Sequence, residues 1–285
     1  MAVANLPPST QKLLDNKGAL TNIVRRIAIE AGEITLDYFE MSGTDHIDQK
    51  GDGSPVTLAD QKAEKLIEEK LKDITPGIPI IGEEAASEGR APDNFDRNDY
   101  FWIVDPLDGT KEFIGGGGDY TVNIALVYKN EPVLGVVYAP VKGEMYAGHA
   151  AGTAVKWNED TDKEKSISVR ENPERGLTIV ASKSHGDPNK LESFLENFKI
   201  DKLVKRGSSL KICIIAAGKA DMYPRFGPTC EWDTAAADAV LRAAGGYLTD
   251  VEGKPLTYGG SNPKWLNPEF IASSFAWFDI KESQD

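Results

Sequence analysis

Two aspartates three residues apart follow directly on an apolar stretch in Phe101-Trp102-Ile103-Val104-Asp105-Pro106-Leu107-Asp108-Gly109-Thr110. Carboxylates so spaced at a turn, with the Leu107 carbonyl between them, offer hard oxygen ligands that suit Mg2+. Pro106 has no N–H to give a sheet ladder, so a strand is expected to end there. Gly109 lets the backbone approach a ligand closely. A helical turn opening at Gly109–Thr110 would present free amides to a phosphate oxygen. Taken alone, the same string reads equally well as an Asx-type turn closing a strand.

Three other segments repeat the pattern of acid at the end of an apolar element. Glu83 and Glu84 follow Ile80-Ile81-Gly82, Asp233 precedes the alanine-rich run after Thr234, and Asp60 lies just after Thr57-Leu58-Ala59. Each has an ordinary structural reading by itself: a solvated helix start, an N-cap, a complement to the helix dipole. Carboxylates that converge without cations repel one another and take up protons. Divalent metals remove that cost, and two of them roughly 3.5–4 Å apart can activate water and clamp the leaving oxygen of a phosphate ester.

The elements that must carry these groups are legible as periodicities. Leu20, Ile23, Val24, Ile27, Ala31, Ile34 and Tyr38 predict an amphipathic helix over 19–41, and Ala59, Ala63, Leu66, Ile67 and Leu71 a second over 58–73. Short strands are expected at 78–81 and 101–104, an antiparallel hairpin at 120–128 and 133–138, and a strand at 145–147. The polar stretch 156–166 reads as a boundary between halves. Beyond it strands at 177–181, 203–204, 221–223, 247–249 and 270–272 alternate with helices around 191–198, at 208–217 (Leu210, Cys213, Ile214 and Ala217 inward) and at 234–244, the last closed by Gly245-Gly246. The fold class is α/β: an α+β half over 1–155 with most of the candidate ligands, then an α/β half over 156–285 with Asp233.

The chain has 285 residues, 40% hydrophobic and 27% charged, with net charge −13, enough to bury a sizeable core. That charge argues against broad nucleic-acid or anionic-membrane surfaces. A small anionic ligand remains compatible if metals or local cations reverse the sign at its site. Two cysteines, Cys213 and Cys230, are too few for a disulfide scaffold, and a reducing cytoplasm is the better reading. Met1–Thr10 lacks the basic and apolar regions of a signal peptide, and no apolar run approaches the ~18 residues of a spanning helix.

Gly82-Glu83-Glu84, Asp105-Pro106-Leu107-Asp108-Gly109-Thr110 and Trp232-Asp233-Thr234-Ala235-Ala236, in this order and at these distances, resemble the inositol monophosphatase superfamily of Mg2+-dependent, lithium-sensitive phosphatases. The resemblance runs from the first helix to Leu266–Pro268. Lys111-Glu112-Phe113 after Gly109-Thr110, with Ser54–Asp60, Leu134–Pro140, Gly207–Lys211 and Tyr223–Thr229, is similar to the 3′(2′),5′-bisphosphate nucleotidase branch in its bacterial, CysQ-type form. The resemblance implies a layered αβαβα sandwich with the site between two packed halves. It implies hydrolysis of the 3′-phosphate of adenosine 3′,5′-bisphosphate in sulfur metabolism, with 3′-phosphoadenylyl sulfate as a further substrate to test.

By the same resemblance, Glu83, Asp105, the Leu107 carbonyl, Asp108 and Asp233 would hold two or three Mg2+ ions, with Li+ inhibitory. Asp60 and Thr110 would orient and deprotonate the attacking water. The Gly109 and Thr110 amides would receive the scissile phosphate. His185, Ser208, Lys211 and Arg225 would contact the rest of the nucleotide, and Glu84 would stand behind the ligands. Glu83, Leu107, Asp108 and Asp233 would also border the substrate. The expected partner is a small nucleotide, with no nucleic acid, and with peripheral membrane attachment and monomer or homodimer left open. Two segments depart from the family pattern: the polar stretch 85–100, and Gly115–Gly118, read as a mobile turn. Another inositol or sugar phosphate monoesterase of the superfamily is the first alternative, a non-catalytic metal or phosphate binder the second.

Overall fold

The computed structural model describes residues 6–40, 47–49, 55–92, 95–182, 187–260 and 264–282. The first half opens with helices α1 (Pro8–Asp15) and α2 (Lys17–Glu40), then strands β1 (Ile47–Gln49) and β2 (Pro55–Thr57), helix α3 (Leu58–Ile74), strand β3 (Ile80–Gly82) and the short helix α4 (Glu83–Ser87). Strand β4 (Phe101–Asp108), helix α5 (Thr110–Ile114) and strands β5 (Thr121–Tyr128), β6 (Glu131–Ala139), β7 (Glu144–Gly148), β8 (Val155–Asn158) and β9 (Lys163–Ser166) complete it. The second half holds β10 (Leu177–Ser182), α6 (Pro188–Leu195), β11 (Ile200–Arg206), α7 (Leu210–Ala216), β12 (Met222–Arg225), α8 (Ala235–Ala243), β13 (Tyr247–Asp250), β14 (Phe270–Ser273) and α9 (Trp277–Glu282).

Two sheets form the frame. Strands β3 to β9 make a seven-stranded sheet in sequence order, parallel only between β3 and β4. The second sheet has the order β11-β10-β12-β14-β13, with β10 parallel to β11 and β12 and the β14 pairings antiparallel. Successive side chains of a strand point to opposite faces. In β5, Val122, Ile124 and Leu126 therefore join Leu20, Val24, Ile27 and Ile67 of α2 and α3. Ala125 and Val127 face the other way, toward α7 and α8 and the inner face of the second sheet (Val180, Tyr223, Ala272). The outer face of that sheet, Ile179, Met222 and Ile271, packs on Phe194 of α6 and Trp277 of α9. The layers run αβαβα, as the resemblance implies.

Several expectations shift in detail. The stretch 156–166, expected as a boundary between halves, carries most of β8 and all of β9, which extend the first sheet to Ser166. β9 is exposed throughout, so its polar composition is that of a sheet edge. β4 does not stop at Pro106. Its ladder to β5 lapses between Asp105 and Asp108, where proline has no amide to give, and resumes at Asp108 opposite Thr121. α7 buries Leu210, Ile212, Cys213, Ile215 and Ala216 rather than one stripe, because it lies between two sheets; Ile214 and Ala217 are half-buried. Gly115–Gly118 is a hydrogen-bonded turn closing α5, with Gly115 N–H to Lys111 O and Gly117 N–H to Glu112 O. Among the described residues, no helix is long and apolar enough to cross a membrane.

The closest backbone approach lies under α8. Gly135 of β6 and Gly148 of β7 are partners across the ladder. A Cβ at Gly135 would stand 2.1 Å from the Ala236 carbonyl oxygen, and one at Gly148 2.7 Å from the Ala243 Cβ. The two glycines form a trough into which the alanine face of α8 settles.

Candidate active site

Asp105 shares the face of Phe101 and Ile103, toward α8, because it continues their two-residue period. Its Oδ1 accepts the Leu107 N–H at 2.9 Å. That is the Asx-type turn of the plain structural reading, and it occupies one oxygen. Oδ2 is buried and has no hydrogen-bond partner among the described residues. Asp233 ends a single 3-10 turn, Glu231–Asp233, that packs on β4 and β5. Its Oδ2 accepts the Cys230 N–H at 2.8 Å. Asp108 accepts the Ser209 N–H, which ties it to the start of α7. One oxygen each from Asp105, Asp108 and Asp233 lies within 4.8 Å of the others.

The electrostatics report the same convergence. Burial, then the charges of Glu83, Asp108, Asp233 and Asp60, push the Asp105 carboxyl well above the usual carboxylate range. Burial, then Asp108 and Glu83, push Asp233 up to about 8, with the Cys230 amide and Arg225 pulling the other way. An orphaned buried oxygen among mutually repelling carboxylates is the donor set of a divalent cation. Asp105, Asp108 and Asp233 fit one.

The remaining predicted residues lie as follows. Asp60 is fully buried in the first turn of α3. Glu83 opens α4, and Glu84 behind it is 2% exposed. Thr110 Oγ1 donates to the Leu107 carbonyl at 3.4 Å. Gly109 is left-handed, φ +97°, and a Cβ there would lie 3.1 Å from the Asp119 carbonyl, so this turn takes glycine. Lys211 stands 5.5 Å from the Tyr223 ring centroid; burial lowers its proton affinity, and Asp108 is the largest opposing influence. Arg225 is buried and donates to the Pro228 carbonyl at 3.0 Å. Ser208 is buried, and its hydroxyl shares a hydrogen bond with that of Thr121. His185 lies outside the described residues.

Two sets of supporting residues escape sequence reasoning. Glu64 is buried on α3, and its carboxylate accepts the Glu84 and Ala85 N–H groups at 2.8 and 2.7 Å, capping the helix that begins with Glu83. Gly82 makes room for it: a Cβ there would lie 2.4 Å from the Glu64 carboxyl carbon. Burial raises the Glu64 carboxyl to about 7. The available signal was spacing, since Glu64 is four residues from Asp60 and on the same helical face as Ile67 and Leu71. The second set is Thr121, Asn123 and Ser209. Ser209 Oγ donates to Asn123 Oδ1 at 2.8 Å, which joins the two halves beside Asp105 and Asp108. Glu64→Ala is expected to destabilise the protein by about 2 kcal/mol or more through two orphaned amides. It should also raise the Mg2+ concentration for half-maximal activity. An unchanged Mg2+ dependence in a metal titration would separate Glu64 from the placement of Glu83.

With that geometry in hand, the comparisons are specific. Residues 16–276 match the inositol monophosphatase family. The 3′(2′),5′-bisphosphate nucleotidase CysQ of Escherichia coli (strain K12) is 42% identical over 252 residues, covering 88% of this chain and 98% of that one. The protein of the same name from Haemophilus influenzae is 32% identical over 268 residues, 92% and 96% of the two chains. The crystal structure of CysQ from Bacteroides thetaiotaomicron, described as a bacterial member of the inositol monophosphatase family, superimposes with a TM-score of 0.73. It is 35% identical, with 90% and 98% coverage.

Proposed function

The chain belongs to the inositol monophosphatase family, and from that premise we propose that it is a metal-dependent 3′(2′),5′-bisphosphate nucleotidase removing the 3′-phosphate of adenosine 3′,5′-bisphosphate. The observation that carries the chemistry is the orphaned oxygen of Asp105, whose carboxylate converges with those of Asp108 and Asp233. The nucleotide comes from the likeness to the bisphosphate nucleotidases, together with the Lys211 and Arg225 cations beside the carboxylates.

Glu83, Asp105, the Leu107 carbonyl, Asp108 and Asp233 would hold two or three Mg2+ ions, with Li+ competing. When bound, such ions lower the proton affinity of water and offset charge on the phosphoryl oxygens. The protein's own groups do the rest. The amides of Gly109 and Thr110, turned by the left-handed glycine, receive the scissile phosphate. Asp60 accepts the proton of the attacking water, and the Thr110 hydroxyl orients that water. Attack is in line on the 3′-phosphorus; the P–O3′ bond breaks, and the departing 3′-oxygen takes a proton from solvent water. The products are adenosine 5′-phosphate and inorganic phosphate, with no covalent enzyme intermediate. Lys211 and Arg225 meet the second phosphate or the nucleoside. Catalysis is positioning plus charge stabilisation. A cytoplasmic location suits a substrate of this kind.

Rates on adenosine 3′,5′-bisphosphate, inositol 1-phosphate and fructose 1,6-bisphosphate, with and without Li+, test the proposal. The nucleotide is expected to lead by at least about tenfold in kcat/KM. A lead for the inositol ester would move the protein to another branch of the family. Tight binding without turnover would make it a binder.

A further inference from the structure

The first sheet carries a row of charge far from the catalytic carboxylates. Lys156 of β8 is paired with Tyr146 of β7 on one side and Lys165 of β9 on the other. Residues opposed across antiparallel strands share a face. Here it is the face on which Tyr146 packs with Cys213 of α7. Lys156 is 8% exposed; its ammonium lies 5.2 Å from the Tyr146 ring centroid and bonds the Glu144 carboxylate. β8 is four strands from β4, about 19 Å at ~4.8 Å per strand.

Two more cations reach this row from the second half. The turn after α7 backs onto the segment following β9: a Cβ at Gly218 would lie 3.0 Å from the Ser168 carbonyl oxygen. Lys219 follows directly. Lys156 is the largest influence lowering the Lys219 proton affinity, with Lys165 and Arg206 acting in the same direction. Arg206, at the end of β11, lies two residues beyond Val204, the ladder partner of inner-face Val180, so it stands on the same face of that strand; it also bears on the Tyr146 hydroxyl.

Among the described residues, one carboxylate is ion-paired with the four. Lys156 pairs with Glu144, and Lys165, Lys219 and Arg206 make no ion pair among the described residues. Glu164, the acid nearest in sequence, lies opposite Trp157 in the β8–β9 ladder, so it points to the other face, where it pairs with Arg25. Like charges directly opposed on neighbouring strands destabilise a sheet. This local excess of positive charge stands in a chain of net −13.

We propose that Lys156, Lys165, Lys219 and Arg206 form a second anion site, separate from the catalytic centre, for a compact, multiply charged oxyanion of the pyrophosphate class. Lys156 is fixed at the floor by Tyr146 and Glu144. The other three are exposed on flexible stems at the rim and can close on an anion. Four cations are too few, and the surrounding chain too acidic, for a polymeric ligand.

The test is calorimetric titration of the full chain with inorganic pyrophosphate, without divalent cations, so that the catalytic carboxylates repel the probe. Wild-type protein is expected to bind one equivalent, with affinity falling as KCl is raised. Lys165→Gln/Lys219→Gln is expected to weaken binding at least about tenfold while turnover stays within about twofold, which shows the fold intact. Asp105→Asn should leave binding unchanged. Absence of binding to wild type overturns the proposal, as does equal affinity in the double variant. Loss of binding in Lys211→Gln instead would place the anion in the nucleotide pocket and also overturn it.

Discussion

Asp105→Asn is expected to lower kcat/KM on adenosine 3′,5′-bisphosphate by at least about a thousandfold, while raising the Tm of the metal-free protein at pH 8 by about 2–4 °C. The opposite signs share one cause. Asparagine keeps the carbonyl oxygen that accepts the Leu107 N–H, so the turn survives. It replaces the orphaned oxygen with an NH2 group facing Asp108 and Asp233, which turns repulsion into donation. The same change removes a proposed ligand for the cations that the proposed hydrolysis needs. Steady-state kinetics and metal-free melting check the two halves. Retained Mg2+-dependent turnover, or a lower metal-free Tm, would sink the assignment.

The wild-type pH dependence has a definite sign. Asp105 lies well above its ordinary value, Asp233 at about 8 and Glu64 at about 7. A carboxyl raised in the folded state stabilises the fold fully below its unfolded pKa, and that contribution is lost as pH rises through the folded value. Metal-free protein should therefore lose stability from about pH 4–5 to pH 8. Under the proposed assignment Mg2+ would displace the protons of Asp105 and Asp233, so its stabilising effect should grow over the same interval.

The second large effect is mechanical. Gly135→Ala is expected to cost about 3 kcal/mol or more, at the upper end of overpacking penalties. The added methyl would meet the Ala236 carbonyl at 2.1 Å and Ala239 Cβ at 2.7 Å, and neither backbone nor Cβ can rotate away. Relief requires lifting α8, and Asp233 stands just before that helix. Folded Gly135→Ala should therefore also bind Mg2+ more weakly. A surface substitution of equal thermal cost should not. Denaturant melts with and without Mg2+ separate the two. A Gly135→Ala protein of wild-type stability would mean that the trough is not a fixed seat.

What was legible in the chain was what local pattern encodes. Apolar strands running into Asp105 and Glu83 marked candidate ligands, because a strand end followed by a turn is a local event. The alanines after Asp233 announced a helix made for close packing, but not what it packs on. Gly135 reads as an unremarkable strand glycine until Ala236 is seen against it. Glu64 was hidden for a related reason. A glutamate in a helix usually faces water, and only the two amides of α4 explain its burial. The strand status of β9 was masked by composition, since an edge strand with neither face covered is as polar as a loop.

The division of the site between two distant stretches of chain has a further consequence, for how the molecule comes apart. Asp105 and Asp233 are separated by roughly 130 residues of chain, and tying such distant points together removes freedom from the unfolded ensemble, about 4–5 kcal/mol for a cross-link of that span in the chain-entropy account. A cation held by both would work as a removable tether. Chelation would act on the lifetime of the whole fold, shortening the survival of the protein against proteases. The free Mg2+ that sets turnover would then also set how long each molecule lasts.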